Sequence, residues 1–125
     1  MSPPSLDKNP YISLTTYRRN GKAVSTPVWF ARADNALYIF SAADAGKVKR
    51  LRNSSRAQVA DCNYRGKVLS EWRSVEACLL DESEETSHAY ELLQRKYGLQ
   101  MTLTNLMSRI AGRINQRQVI KVVLG

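Results

Sequence analysis

The stretch Leu37-Tyr-Ile-Phe-Ser-Ala-Ala-Asp-Ala-Gly-Lys-Val-Lys-Arg-Leu-Arg52 decides how the chain folds. Its apolar start, residues 37–41, predicts a β-strand, and the small residues that follow predict a turn into a helix over about residues 45–54. Asp44 is the predicted N-cap of this helix. A strand that turns into a helix carrying several cations is a general arrangement for holding an anion.

The cations of this stretch are concentrated at its end, where four of the last six residues are Lys or Arg. Val48 and Leu51 lie one helical turn apart and are predicted to pack inward. A solvated basic face is the simpler interpretation of any single cation here. Because Asp44 would repel a phosphate docked on the helix end, Ser41 and Lys47 beside that end are the better candidates for an anion site.

A hairpin is predicted before this stretch. Residues 11–17 alternate between apolar and polar and predict a strand, and Asn20-Gly21 is a strong hairpin signal because both residues tolerate positive φ. The return strand is predicted over Ala23–Arg32. Alternation places two sets on opposite faces of it: Val24, Thr26, Val28 and Phe30 on one, and Ser25, Pro27, Trp29 and Ala31 on the other.

Pro27 is unusual within a predicted strand because it cannot donate a ladder hydrogen bond. One interpretation is an edge strand, which a proline protects from aggregation. The other is an irregular backbone that a flat ligand can approach closely. Both interpretations place Pro27 away from the centre of a sheet.

The rest of the chain predicts strands at 56–65 and 68–80, with Trp72 in the middle of the second. A helix follows, with Asp81 and Glu84 close to a capping box and Gly98 at its C′ position. A second helix and a final strand over 118–124 complete the chain. The predicted apolar stripes of the two helices are Ala89, Leu92, Leu93 and Tyr97, then Leu103, Leu106, Met107, Ile110 and Ile114.

This order predicts a mainly β fold: a six-stranded antiparallel barrel with a short helix after strand 3 and two helices before the last strand. The last strand must return across the sheet in a Greek-key-like way. Residues 1–10 are predicted to be a disordered lead, and 11–125 a single domain. With no export signal, the expected compartment is the cytoplasm, with Cys62 and Cys78 as buried free thiols.

Composition limits the function without fixing it. The formal net charge of +8 implies a negatively charged partner or ligand. No apolar run approaches the ~20 residues that span a bilayer. His88 lies among charged and polar residues and is predicted to be exposed. The sequence therefore indicates no nucleophile–base pair for catalysis. If the protein is an enzyme, a cofactor carries the chemistry and the protein orients it.

The motifs Ser-Thr-Pro-Val-Trp-Phe at 25–30, Tyr-Ile-Phe-Ser at 38–41 and Gly-Lys-Val-Lys-Arg-Leu-Arg at 46–52 fit a cofactor with a flat ring and a phosphate. Together they resemble the pyridoxamine 5'-phosphate oxidase-like family of flavin and deazaflavin oxidoreductases, and most closely its small branch labelled coenzyme F-420-dependent. The resemblance runs from about Tyr11 to Leu124. Gly46 departs from the oxidases themselves, which often carry Arg there, and their substrate-phosphate residues are absent.

The resemblance implies a split β-barrel homodimer with the cofactor, coenzyme F-420 or FMN, at the subunit interface. It implies hydride transfer to or from a small organic substrate, with no catalytic protein nucleophile and no metal. Lys47 would be the principal phosphate cation, with Lys49 and Arg50 nearby. The remaining implied cofactor-binding residues are Ser25, Thr26, Pro27, Val28, Trp29 and Phe30 along the ring, and Phe40 and Ser41 beside the phosphate.

Three alternatives stay open from the sequence. FMN and the deazaflavin are not separated, although a cluster of Lys49, Arg50 and Arg52 suits an acidic tail. A non-catalytic module of the same fold would bind a flavin or tetrapyrrole without turnover. A basic nucleic-acid-binding β protein is less favoured, because Tyr64 and Trp72 do not align with the basic residues as stacking platforms do.

Overall fold

A single antiparallel sheet forms the body of the molecule. The computed structural model describes residues 2–6, 9–42, 45–80, 84–97 and 117–124. The sheet has seven strands in the order β2-β1-β5-β6-β7-β4-β3. In chain order the elements are β1 (Ile12–Tyr17), β2 (Ala23–Val28), β3 (Ala31–Ala33), β4 (Ala36–Ala42), α1 (Gly46–Asn53), β5 (Arg56–Asp61), β6 (Arg73–Leu80), α2 (Glu84–Tyr97) and β7 (Arg117–Val123).

The sheet curls until its two edges nearly meet. Its edge strands, β2 and β3, are consecutive in the chain and are joined only by Trp29 and Phe30. In a flat sheet, six spacings of about 4.8 Å would separate these edges by roughly 29 Å. The three peptide steps from Val28 to Ala31 reach at most about 11 Å. The connection therefore forces a barrel, and β2 and β3 share no ladder, so the barrel is split along this line.

The predicted mainly β fold is confirmed, with one more strand than expected. The predicted strand Ala23–Arg32 breaks into β2 and β3 because Trp29 and Phe30 leave the ladder where the barrel splits. The late return of the last strand is also confirmed. Strand β7 lies between β6 and β4 and pairs with both, so it joins the two halves of the sheet.

Two other strand boundaries differ from the prediction because a polar turn is longer than expected. Strand β5 ends at Asp61, and β6 starts only at Arg73, which puts Trp72 before the strand. In between, the Asn63 side-chain oxygen accepts bonds from the N–H groups of Arg65 and Lys67, both at 2.9 Å. Such local bonds compete with a strand ladder.

The main core fills the inside of the barrel. Helix α1 closes it with Val48 (0% exposed) and Leu51 (7%), as predicted. Helix α2 lies on the outer face, where Ala89 and Leu93 pack against β3, β4 and β7. Among the described residues, no helix is both long and apolar enough to cross a membrane.

Several local expectations need correction. Among the described residues before β1, Leu6 is fully buried and the Ser5 N–H bonds to the Asp61 carboxylate at 2.8 Å. The N-cap of α1 is Ala45, with no side-chain cap, rather than Asp44. Cys62 is buried as predicted, but Cys78 is exposed on the outer face of β6.

Some predictions fall outside the described residues. These are the second helix with its stripe over 103–114 and the cap residues Asp81 and Gly98. Within the described residues, the stripe of α2 is confirmed, and His88 is exposed as predicted.

Candidate functional site

Strand β2 presents two different faces, as its alternation predicts. Thr26 and Val28 point into the barrel, and Val28 belongs to the main core. Ser25 and Pro27 are exposed on the outer face. The Ser25 hydroxyl lies 2.6 Å from that of Thr15 on β1, so its position is fixed. A ligand on the outer face would meet the side chains of Ser25 and Pro27 and the backbone between them.

Pro27 lies on an edge strand, as one of the two sequence interpretations requires. It is opposite Ser13 of β1, and no other strand of the described residues pairs with the opposite side of β2. The missing N–H therefore costs little there. This edge of β2 is also open to the flat ring of a ligand.

Trp29 and Phe30, at the end of the segment 25–30, are held by helix α2. The Trp29 ring stacks on Tyr97 with the ring centroids 4.4 Å apart and the planes 7° apart. Phe30 is fully buried, and the Lys96 ammonium lies 3.3 Å from the centroid of its ring. Of these two residues, only the half-buried Trp29 reaches the outer surface. Phe30 contributes through packing and through its backbone.

Lys47 is a half-buried cation near the start of α1. Burial lowers the pKa of its ammonium, and the neighbouring Arg50 lowers it further. In the part of the chain that the structure describes, Lys47 forms no ion pair. Lys49, two residues on, is exposed. A buried cation without a counter-ion is costly and is stabilised by a bound anion.

Arg50 is held against the hairpin rather than pointing freely into water. Its Nε donates a 2.6 Å hydrogen bond to the hydroxyl of Thr16, a residue of β1 that is 1% exposed. Thr16 is paired with Val24 on β2, so this bond connects α1 to the start of β2 through β1. Burial lowers the pKa of the Arg50 guanidinium, and the nearby Arg18 adds to the effect.

Gly46 makes room for this guanidinium. A Cβ at position 46 would lie 2.7 Å from an Nη atom of Arg50, so a larger residue would displace it. A side chain at position 46 would therefore require the flexible end of Arg50 to shift.

Ser41 and Phe40 lie at the end of β4 and point to different sides of the sheet. The Ser41 hydroxyl is half-buried and donates to the Ala42 carbonyl oxygen at 3.2 Å. Phe40 packs under α2 beside Leu92. A phosphate near the end of β4 would therefore meet the Ser41 side chain, while Phe40 shapes the sheet behind it.

The structure thus connects α1 with strand β2, which carries part of the segment 25–30, through Thr16. The sequence does not single out Thr16, Tyr97 or Arg18 as site residues. Alternation along β1 indicates that Thr16 faces inward, but its bond to Arg50 spans 34 residues and leaves no local signal.

The chemistry available to these residues is binding and orientation. Within the described ranges, no three His, Cys, Asp or Glu residues are placed to hold a metal ion. The unpaired Lys47 and the anchored Arg50 fit a phosphate, since charge-assisted bonds to phosphate are among the stronger ones. The open edge of β2 fits a flat ring.

Comparison with known proteins agrees with this geometry. The family model described as pyridoxamine 5'-phosphate oxidase matches residues 4–124. The chain belongs to this family. No curated protein matches it.

Solved structures share the fold of this family member at low identity. A putative pyridoxamine 5'-phosphate oxidase from Listeria innocua aligns with a TM-score of 0.64 and 13% identity, covering 94% of this chain and 86% of that one. An F420-H2-dependent reductase, FDR-A, gives 0.65 and 18%, covering 90% and 93%. The haem storage protein HutZ from Vibrio cholerae gives 0.71 and 8%, covering 93% and 82%.

Proposed function

We propose that this protein is an oxidoreductase that uses a flavin-type cofactor, coenzyme F-420 or FMN, for hydride transfer to or from a small organic molecule. One observation carries the proposal. Lys47 is a half-buried ammonium without an ion pair among the described residues, next to an arginine held by the hairpin that carries the ring-binding strand. Such a cation is best explained by an anionic group that binds beside it.

Lys47 and Arg50 would hold the phosphate, with the Ser41 hydroxyl beside them and the exposed Lys49 contributing through longer-range attraction. Bringing a dianion next to Lys47 restores its ordinary pKa, because an opposite charge favours the ammonium form. Arg50 keeps a fixed direction through Thr16 and so loses less side-chain entropy on binding.

The outer face of β2 would hold the ring. Ser25 and Pro27 offer an exposed surface, and the stacked pair of Trp29 and Tyr97 bounds it at the split in the barrel. The bound cofactor would supply the hydride chemistry. The residues of this chain would orient the ring and exclude water from one of its faces.

We further propose a cytoplasmic homodimer with the cofactor between the subunits. The outer face of β6 supports this, because Ser74, Glu76 and Cys78 are exposed there. Within the described residues, α2 packs on β3 and β4 instead. A second copy of the chain is the proposed cover for this part of the sheet and for one side of the ring.

The test is a fluorescence titration of the purified protein with FMN and, separately, with coenzyme F-420. We expect saturable quenching by one of them at micromolar protein. Lys47→Ala should weaken binding at least about tenfold, while Lys49→Ala, an exposed lysine of the same helix, should change it about twofold or less. If neither cofactor binds, the proposal fails.

A second candidate is a binding module of the same fold without turnover. The likeness to a haem storage protein shows only that this fold occurs in such proteins. A protein that binds cofactor tightly but passes no hydride between the reduced cofactor and any electron acceptor would favour this candidate. Reoxidation of the bound, reduced cofactor by a panel of acceptors separates the two.

A further inference from the structure

A second group of basic residues lies at the C-terminal end of α1, and one of them, Arg18, is close enough to Arg50 to lower its pKa. An open cleft of about 400 Å³ is formed between the hairpin turn, the end of α1 and the start of β5. We name it the hairpin cleft. Its lining residues are Tyr17, Arg18, Arg19, Gly21, Asn53, Ser54 and Arg56.

The hairpin cleft is positively charged and has no internal counter-charge. Its lining includes three arginines and no Asp or Glu. Within the described part of the chain, none of these arginines forms an ion pair. Glu76 is opposite Arg56 in the β5–β6 ladder, yet no salt bridge joins them. Three guanidiniums around one cavity repel each other unless an anion binds between them.

Two of the arginines are held in place by contacts that leave donors for a ligand. The Arg56 guanidinium lies 4.1 Å from the centroid of the Tyr17 ring. An Arg19 Nη donates to the Asn53 side-chain oxygen at 3.1 Å. Each guanidinium has five N–H donors and uses at most one of them in these contacts. Held side chains with free donors are suited to bidentate recognition of phosphate or carboxylate groups.

We infer that the hairpin cleft binds a small molecule, or part of one, that carries at least two negative charges on phosphate or carboxylate groups. A volume of about 400 Å³ is enough for a small metabolite. A single-stranded nucleic acid is less suitable, since such sites use open aromatic faces for base stacking. Tyr17 is the one aromatic residue of the lining, and Arg56 covers a face of its ring.

The test uses inorganic pyrophosphate and a triglutamate peptide as probes, by calorimetry at low ionic strength on the full chain. We expect pyrophosphate, triglutamate or both to bind the wild-type protein. The double variant Arg19→Gln, Arg56→Gln should bind at least about tenfold more weakly. Arg32→Gln removes one exposed arginine outside the cleft and is the charge-matched control for the single variants Arg19→Gln and Arg56→Gln, with a change of about twofold or less.

Asn53→Asp is a second variant of nearly the same size, which loses only the amide donor to the Lys49 carbonyl oxygen. Its carboxylate keeps the acceptor for Arg19 and adds a negative charge, so it should also abolish binding while thermal unfolding shows a folded protein. Preferential binding of pyrophosphate would identify a phosphate ligand, and preferential binding of triglutamate a carboxylate ligand, such as an acidic tail.

Several results would overturn the inference. One is that neither probe binds the wild-type protein. Another is that probe affinity falls equally in the cleft variants and in Arg32→Gln. A third is that a short single-stranded oligonucleotide binds at the cleft more tightly than both probes. FMN and coenzyme F-420 titrations separate this site from the proposed cofactor site. The cleft variants should keep wild-type FMN affinity, whereas a loss of FMN binding would make the cleft part of the cofactor site and remove the claim of a second one.

Discussion

The hydroxyl of Tyr97, the last residue of α2, accepts a 2.9 Å hydrogen bond from the backbone N–H of Phe30, which lies in the split of the barrel. The same hydroxyl lies 2.9 Å from the Phe30 carbonyl oxygen and 2.7 Å from that of Pro10, and it can donate to one of them. A side chain from α2 thus satisfies backbone groups that a neighbouring strand would otherwise pair. Helix α2, rather than a ladder of hydrogen bonds between strands, therefore closes the split in the barrel.

Tyr97→Phe should therefore destabilise the protein while leaving its packing intact. It removes the partner of a buried N–H, which costs about 2 kcal/mol. Denaturant unfolding measures this as a lower free energy of unfolding. Tyr64→Phe, which removes an exposed hydroxyl, should change it by about 0.5 kcal/mol or less. Equal effects of the two variants would show that Tyr97 does not hold the split closed.

The same hydroxyl predicts an alkaline loss of stability. Burial raises the pKa of Tyr97 above its ordinary value of 10.0, and Tyr11 adds to this, although the bond from Phe30 opposes it. An acid whose pKa is raised on folding stabilises the protein below the unfolded-state pKa and loses that contribution as the pH rises further. Wild-type stability should thus fall above about pH 10, and less steeply in Tyr97→Phe. Unfolding curves across this pH range test it.

Lys47 should destabilise the protein when no ligand is bound, because burial lowers its pKa and disfavours the ammonium. Replacing it with Met keeps the aliphatic length and removes the charge. The melting temperature of Lys47→Met without cofactor should rise by about 2 °C, while cofactor affinity falls. Lys49→Met, on the exposed side of α1, should leave the melting temperature unchanged and change cofactor affinity about twofold or less. A lower melting temperature for Lys47→Met would contradict the assignment of Lys47 as an unpaired binding cation.

The bond between Arg50 and Thr16 should couple the helix to the ring-binding hairpin. A double-mutant cycle with Arg50→Gln and Thr16→Val should give a coupling of about 1 kcal/mol in unfolding free energy. Thr16→Val alone should also weaken cofactor binding several-fold, since Arg50 loses its fixed direction. Additive changes in the free energy of unfolding, together with unchanged cofactor affinity of Thr16→Val, would show that Thr16 does not position Arg50.

The sequence predicts most of this fold because alternation and helical spacing are local signals. The faces of β2, the inward pair Val48 and Leu51, and the stripe of α2 ending at Tyr97 all follow from them. The break after Val28 leaves no such signal. Phe30 and Ala31 keep the alternation of an unbroken strand, and only the curl of the whole sheet shows why the ladder must end there.

The candidate site is predicted less completely, since its decisive contacts join distant parts of the chain. Lys47 and Arg50 are recognisable from charge and motif, yet their burial and the Arg50 bond to Thr16 depend on how α1 lies on β1. The Asn20-Gly21 turn is predicted from its residues, whereas the cleft between it and the end of α1 is not. These features depend on tertiary contacts, which cannot be predicted from the periodicity or the composition of the sequence.

The most direct test of the central claim compares two ligands that differ only in a phosphate. FMN and riboflavin, or coenzyme F-420 and its deazaflavin without the phosphate tail, are titrated into wild-type protein and Lys47→Ala. We predict that the phosphorylated form of the bound cofactor binds at least about tenfold more tightly to wild type, and that Lys47→Ala removes most of this difference. Equal affinity of the two forms for the wild-type protein would contradict it.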